Sequence, residues 1–111
     1  MKSQLANNPQ DRELINKKFE VEDKIFLSNQ KVAEGWKLWE QKDFEGAKNL
    51  FNDAINLNTN NSGAYFGRGL VYDDLKQYER AIQDLNKAIE LNPNNTVAKN
   101  NREACLKAMG K

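Results

Sequence analysis

Histidine is missing from this sequence of 111 residues, and cysteine occurs only once, at Cys105. Without histidine, the chain lacks the most common general base and the most common metal ligand. A single cysteine cannot form an internal disulfide or a zinc site, and no histidine can activate it as a nucleophile. We therefore expect no enzyme activity, no metal site and no cofactor, and we interpret Cys105 as a small apolar residue of the last helix.

Long apolar runs and an excess of one charge are missing as well. The longest apolar runs are only a few residues, which is too short to span a bilayer. Seventeen basic and sixteen acidic residues give a net charge of +1, so the composition favours neither nucleic acid nor a membrane as partner. The first ten residues, MKSQLANNPQ, contain no apolar stretch of the kind found in secretory signals. We expect a cytoplasmic protein.

Proline is scarce, and its two occurrences mark places where helices start or stop. Residues 1–8 are polar, and we expect them to be disordered. Asn8 and Pro9 then predict a helix start. The helix predicted for residues 9–27 is amphipathic and has a wide apolar face, which consists of Leu14, Ile15, Phe19, Val21, Ile25 and Phe26.

The next three residues, 28–30, contain neither glycine nor proline, so they form a weak break. We predict a bend there; the alternative is one unbroken helix that continues past Ser28. The apolar face of residues 9–27 then has three candidate positions. In order of preference, it packs beside the next helices as a cap, lies in its own chain's groove, or enters a neighbouring chain.

An internal repeat organises the remainder of the chain. When residues 62–95 are shifted back by 34 positions onto residues 28–61, small residues meet small ones and bulky residues meet bulky ones. The matching pairs are Gly69 with Gly35, Tyr78 with Phe44, Ala81 with Ala47, Leu85 with Phe51, Ala88 with Ala54, and Ile89 with Ile55. A fixed period of this length is typical of a helical repeat array.

Each repeat predicts two helices separated by a short turn. We expect helices at residues 29–41 and 43–57, then 62–75 and 78–91, and a last helix at 96–109. Asp43 is a candidate cap for the second of them, and Pro93 stops the fourth. Gly69 and Ala81 lack bulk, so they allow the two helices of the second repeat to approach closely.

The repeat resembles the tetratricopeptide repeat family. In the second copy the resemblance rests on Tyr65, Gly69, Tyr72, Tyr78, Ala81, Leu85, Ala88 and Pro93, and in the first on Gly35, Leu38, Phe44, Ala47, Phe51 and Ala54. The first copy departs from the family pattern at Lys31 and Thr59. The resemblance covers residues 28–111 and implies an all-α helical-hairpin array, an α-solenoid of about six helices. Residues 28–61 and 62–95 would be the repeats, and residues 96–111 a capping helix.

In this family the first helix of each hairpin lines a concave groove. The resemblance therefore implies a non-catalytic protein-interaction module that binds a peptide or helix of a partner protein. The predicted binding residues are Val32, Trp36, Trp39, Glu40, Phe66, Leu70, Asp73 and Asp74, and Asn29, Gly63, Val97, Asn100 and Lys107 complete the lining. Aromatic anchors with an acidic rim suit a partner with apolar and basic residues.

Two alternatives accompany this interpretation. Trp36 and Trp39 would instead be core residues if the N-terminal helix covered them. The chain would instead be a self-assembling unit, a homodimer for example, if its ends or its N-terminal helix paired between copies. Family members that hold chaperone carboxylate tails use basic and polar groove residues at positions that here are Val32, Trp36, Gly67, Val97 and Asn101. Four of these are apolar or glycine, so we expect no binding of such a tail.

Overall fold

Five helices make up most of residues 9–111, which are the residues that the computed structural model describes, apart from the side chains of residues 9–16 and 19. In chain order they are α1 (Pro9–Glu40), α2 (Phe44–Leu57), α3 (Ser62–Asp74), α4 (Tyr78–Leu91) and α5 (Thr96–Ala108). The predicted all-α hairpin array is confirmed, and the predicted helix bounds from residue 43 onward hold to within one residue. The disorder predicted for residues 1–8 lies outside the described residues.

The bend predicted at residues 28–30 is wrong, because α1 runs without a break from Pro9 to Glu40. The bend is absent because the Ser28 hydroxyl forms its hydrogen bonds with residues outside α1. It donates to the carbonyl oxygen of Ala54 on α2 at 2.6 Å and accepts from Asn61 Nδ2 at 2.8 Å. A serine engaged across the helix pair does not compete for its own backbone, so the helix continues. The described helices therefore number five, not about six.

Helices pack in two hairpins followed by α5. The C-terminal half of α1 packs against α2, α3 packs against α4, and α5 packs against α4. The first helices of successive hairpins also touch, α1 with α3 and α3 with α5, whereas no contact joins α2 to α4 in the described part of the chain. The helices on one side of the array are therefore closer together than those on the other, and the long axis of the molecule measures 69 Å.

Residues without bulk allow this close packing. A Cβ atom added at Gly35 would lie 2.7 Å from the Phe51 ring, and one added at Gly69 would lie 3.1 Å from Leu85 and 3.3 Å from the Ala81 carbonyl oxygen. Ala81 itself is fully buried. The gap predicted at Gly69 and Ala81 is confirmed, and Gly35 provides the same gap in the first hairpin.

Capping side chains fix where the helices begin. The Asp43 carboxylate accepts from the Gly46 amide at 2.9 Å, which confirms the predicted cap of α2. Asn61 and Asn95 cap α3 and α5 in the same way, by accepting from the amides of Ala64 and Ala98. These caps place α3 and α5 in equivalent positions, one repeat apart.

The N-terminal half of α1 extends beyond the array. Every described residue from 20 to 27 is exposed, and burial begins at Ser28. The preferred position for this segment, beside the first repeat as a cap, is therefore wrong for residues 20–27. A cap requires the chain to fold back near Ser28, and the unbroken helix prevents this. The division of the chain into a separate N-terminal helix, two repeats and a capping helix remains a prediction. No described helix is long and apolar enough to cross a membrane.

Candidate functional site

Aromatic rings form the centre of the predicted binding surface, where α1 and α3 lie beside each other. The Trp36 ring centroid lies 5.6 Å from that of Trp39, 5.8 Å from that of Phe66 and 5.3 Å from that of Phe51. Phe51 is fully buried, whereas the other three are half-buried. The cluster therefore has a buried base and an accessible upper surface, and its edge-to-face contacts restrict how the rings can move.

A hydrogen bond ties the tryptophan pair to the neighbouring helix. The indole Nε1–H of Trp39 donates to Asp74 Oδ2 at 2.6 Å, from α1 to the last turn of α3. The bond leaves the second carboxylate oxygen of Asp74, an exposed residue, available to solvent. Since the acceptor is charged, this bond is stronger than one between neutral groups, and it holds Trp39 in one orientation.

Asp73 faces the other way, toward α5. Partial burial raises the pKa of Asp73; hydrogen bonding with the Cys105 thiol opposes this effect, and the Asp74 charge reinforces it. Burial raises the pKa of Cys105 to about 11, with the charge of Asp73 adding to the effect. Cys105 therefore remains a protonated thiol at neutral pH, which agrees with its interpretation as a packing residue.

The other predicted residues contribute unequally. Val32 is half-buried and packs against both the Phe51 and the Ile55 clusters, so it belongs partly to the core. Leu70 is half-buried and Glu40 is exposed. We call the whole set the groove face, which comprises Val32, Trp36, Trp39, Glu40, Phe66, Leu70, Asp73 and Asp74. The structure brings Trp36, Trp39, Phe66 and Asp74 into one cluster, with Asp73 beside it toward α5.

The alternative in which the N-terminal helix covers Trp36 and Trp39 does not hold. Both tryptophans lie on α1 itself, and residues 20–27 continue the same helix away from them. Trp36 nevertheless rests on a buried ring, so it combines a structural role with an accessible surface. The second position considered for the N-terminal segment, its own chain's groove, is also ruled out for these residues by the unbroken helix.

A polar network on the opposite side of α3 was not predicted. Arg68 donates to both carboxylate oxygens of the buried Asp84, each at 2.8 Å, and to Asn52 Oδ1 at 2.9 Å. Hydrogen bonding to Asp84 raises the pKa of Arg68, so its charge is secure. The repeat could have predicted the bond between arginine and asparagine, because both residues recur one period later. Arg102 lies one period after Arg68, and it donates to Asn86, which lies one period after Asn52. This network joins α2, α3 and α4 and does not reach the groove face.

Comparison with known families and structures agrees with the geometry. The family profile for the tetratricopeptide repeat matches residues 62–95. The first such domain of Spaghetti (RPAP3), solved with the HSP90 peptide SRMEEVD, is 27% identical with a TM-score of 0.73, and the match covers 76% of this chain and 67% of that one. A comparison with curated proteins found no match.

Two further solved structures extend the likeness. The Arabidopsis OM64 domain of the same family is 24% identical with a TM-score of 0.75, over 78% of this chain and 71% of that one, which supports the fold alone. MamA is 27% identical with a TM-score of 0.73, and the match covers 92% of this chain but only 59% of MamA. The helical-hairpin array is therefore shared with domains of this repeat family over most of the chain.

Proposed function

Because the chain is a tetratricopeptide repeat protein, we propose that it is a non-catalytic interaction module whose groove face binds a peptide or helix of a partner protein. One observation carries this proposal: an indole pair is held in place from two sides and yet keeps accessible surface. Phe51 supports Trp36 from below, and Asp74 fixes Trp39 from the side. Rigid aromatic residues in such positions are the usual anchors of protein interfaces, because little side-chain entropy is lost when they bind.

The charges of the groove face indicate the chemistry of the partner. Its eight residues include three carboxylates, Glu40, Asp73 and Asp74, and no lysine or arginine. A partner that places apolar side chains on the aromatic cluster and lysine or arginine near these carboxylates would be complementary in shape and charge. The free oxygen of Asp74 and the exposed Glu40 are the most accessible acceptors for such groups.

The solved relative with a bound HSP90 peptide supports peptide binding in general, but the sequence SRMEEVD is acidic. The charge of the groove face opposes a peptide of that kind. The positions at which family members hold a chaperone carboxylate are here Val32, Trp36, Gly67, Val97 and Asn101. Val32 and Trp36 pack in the core cluster, and Gly67 has no side chain to offer. We therefore propose that acidic chaperone tails are not the ligands of this chain.

Tryptophan fluorescence provides a direct test. A helical peptide with leucine at every fourth position and lysines between them is titrated into the protein, and the same peptide with glutamates in place of the lysines serves as the charge control. We expect binding of the lysine peptide, weaker binding of the glutamate peptide, and none of SRMEEVD. The matched variants are Trp39→Ala on the groove face and Lys87→Ala on α4, where Lys87 pairs with Glu90 at the surface.

Binding followed by calorimetry should be lost in Trp39→Ala and unchanged in Lys87→Ala. Equal affinity of both variants, or tighter binding of the glutamate peptide, would contradict the proposal.

The pH dependence of binding adds a second check. Because burial raises the pKa of Asp73, its carboxylate is protonated at a higher pH than an ordinary aspartate. Affinity for the lysine peptide should therefore be full above that pKa and fall as the pH drops through it, and Asp73→Asn should remove that part of the pH dependence.

A further inference from the structure

The N-terminal half of α1 carries four exposed large apolar side chains. Val21 is 56% exposed, Ile25 42%, Phe26 62% and Leu27 42%. Four large apolar side chains within seven residues, all in water, are unusual for a small protein. Each forgoes part of the stabilisation that full burial would provide.

Two of these residues, Val21 and Ile25, continue the side of α1 that packs inside the array, and we call them the apolar stripe. Val21 lies two helical turns before Ser28, and Ile25 lies two turns before Val32, so these residues share one side of α1. From Ser28 onward that side is covered by α2 and α3, as the hydrogen bond from Ser28 to Ala54 shows. α2 ends at Leu57, just beyond Ala54, and the described side chains of residues 17, 18 and 20–27 are all exposed. One more helix, packed against α1 beyond the end of α2, would cover these residues.

The charges beside the stripe are self-complementary in one orientation. Lys18 and Glu22 are one helical turn apart, and Ile25 follows on the same edge. Basic residues, Lys17 and Lys18, come first in the segment, and the acidic Glu22 and Asp23 follow them. Two such segments side by side in parallel would place like charges together. An antiparallel arrangement would place lysine against glutamate twice, by symmetry.

We infer that this segment binds a second copy of the chain, as an antiparallel pair of α1 helices related by a two-fold axis near Glu20. In this register Lys18 of each copy lies beside Glu22 of the other. The overlap spans residues 13–27, about 22 Å at 1.5 Å per residue, and ends before the array begins at Ser28.

The groove face of a neighbouring chain fits the segment less well. Residues 20–23 contain the carboxylates Glu20, Glu22 and Asp23, and the groove face contributes three more. Insertion would bring these like charges together, whereas the antiparallel pair brings opposite charges together. The dimer also leaves the groove face free, so dimerisation and peptide binding are separate properties of the chain.

Sedimentation velocity from micromolar to millimolar protein tests this inference on the full chain. We expect a concentration-dependent dimer for the wild type, and a monomer for the variant with Val21→Glu and Ile25→Glu. Lys18→Glu alone and Glu22→Lys alone should each weaken dimerisation by about tenfold, because two reciprocal pairs become repulsive. The double variant Lys18→Glu, Glu22→Lys should restore it. Circular dichroism and lysine-peptide binding confirm that each variant is folded.

Mixing experiments fix the orientation. In an antiparallel pair, the double variant pairs with itself but not with the wild type, because a mixed pair would place Lys18 against the new lysine at position 22. In a parallel pair the mixed dimer would be favoured instead. A wild type that stays monomeric at millimolar concentration, a dimer unaffected by Val21→Glu and Ile25→Glu, or a double variant that mixes freely with the wild type would each overturn the inference.

Discussion

The first hairpin has Phe51 where the second has the smaller Leu85. On the helix that follows each hairpin the order of size is reversed: the first has a glycine where the second has a larger residue. The Phe51 ring fills the space beside Gly35 and extends to Gly67 on α3, where an added Cβ atom would collide with it. One period after Gly67 the sequence has Asn101, a larger residue, on the helix that packs beside Leu85 and Ala81. We call the contact of each hairpin with the helix that follows it a joint. The two joints have the same helix arrangement, but they divide the side-chain volume differently between the facing helices. The unit that repeats is therefore a packed pair of positions, not a single position.

Truncation of the two central residues tests the comparison most severely. Phe51→Ala should lower the free energy of unfolding by about 4 kcal/mol and Leu85→Ala by about 3 kcal/mol, because the larger ring leaves the larger cavity. Urea unfolding followed by circular dichroism measures both values. Phe51→Ala should also shift the Trp36 fluorescence, since the ring supports that indole. A larger loss for Leu85→Ala would contradict the assignment of Phe51 as the main filler.

The buried ion pair provides the next largest difference between the joints. Arg68 is bound by Asn52 and Asp84, whereas Arg102 donates to Asn86 and takes part in none of the described ion pairs. Asp84→Ala should cost about 3 kcal/mol, because it removes the carboxylate partner of a half-buried guanidinium. Asn86→Ala, at an exposed position, should cost less than about 0.5 kcal/mol. Comparable losses in the two variants, measured by thermal unfolding, would show that Asp84 does not set this difference.

The sequence alone predicted well how the two helices of each hairpin pack, for a physical reason. The small and bulky positions that make two helices approach closely recur at Gly35 and Gly69 and at Phe51 and Leu85, and a shift by one period reveals them without any structure. Caps depend on a single local bond, so Asp43 was predictable too. Gly67 was not, because its role depends on a ring contributed by another hairpin, and no counterpart at position 101 repeats it.

Gly67 therefore gives the third test. Gly67→Ala should cost about 1–3 kcal/mol, because the fully buried Phe51 ring has no room to move away. Gly63→Ala on the same helix is the matched control. Its added Cβ atom would meet nothing closer than Asn61 at 3.4 Å, so the gain in helix propensity should leave stability equal or higher. Equal melting temperatures of the two variants would contradict the close contact.

Helix capping should produce the smallest effect. Asp43 caps α2, whereas Gln77, at the equivalent position before α4, makes no capping hydrogen bond. Asp43→Ala should cost about 1 kcal/mol, and Gln77→Asp should add about the same. Thermal unfolding of both variants and of their combination measures this. The combination should return to the wild-type value, and a stabilising Asp43→Ala would show that the cap is not needed.

The site was harder to predict than the fold. Family resemblance selected the positions of Trp36, Trp39, Phe66 and Asp74, but the bond from Trp39 to Asp74 joins residues 35 positions apart, and no local pattern predicts it. The bend at Ser28 was mispredicted for the same reason. Ser28 matches Ser62 in the repeat, but the two serines differ in what precedes them. Ser62 begins a helix after the non-helical Asn61, whereas Leu27 is itself helical, so Ser28 lies inside α1. What a polar side chain does depends on its tertiary partner, in this case the carbonyl oxygen of Ala54.

We propose that the groove face, and not the exposed N-terminal half of α1, recognises the partner peptide. An NMR titration of isotope-labelled protein with the lysine peptide tests it most directly, with the two indole N–H signals assigned through Trp36→Phe. We predict that the Trp39 indole signal and the amides of residues 66–74 shift together with peptide concentration, while those of residues 20–27 do not. Shifts confined to residues 20–27, or to the outer helices α2 and α4, would show that the peptide binds elsewhere than at the groove face.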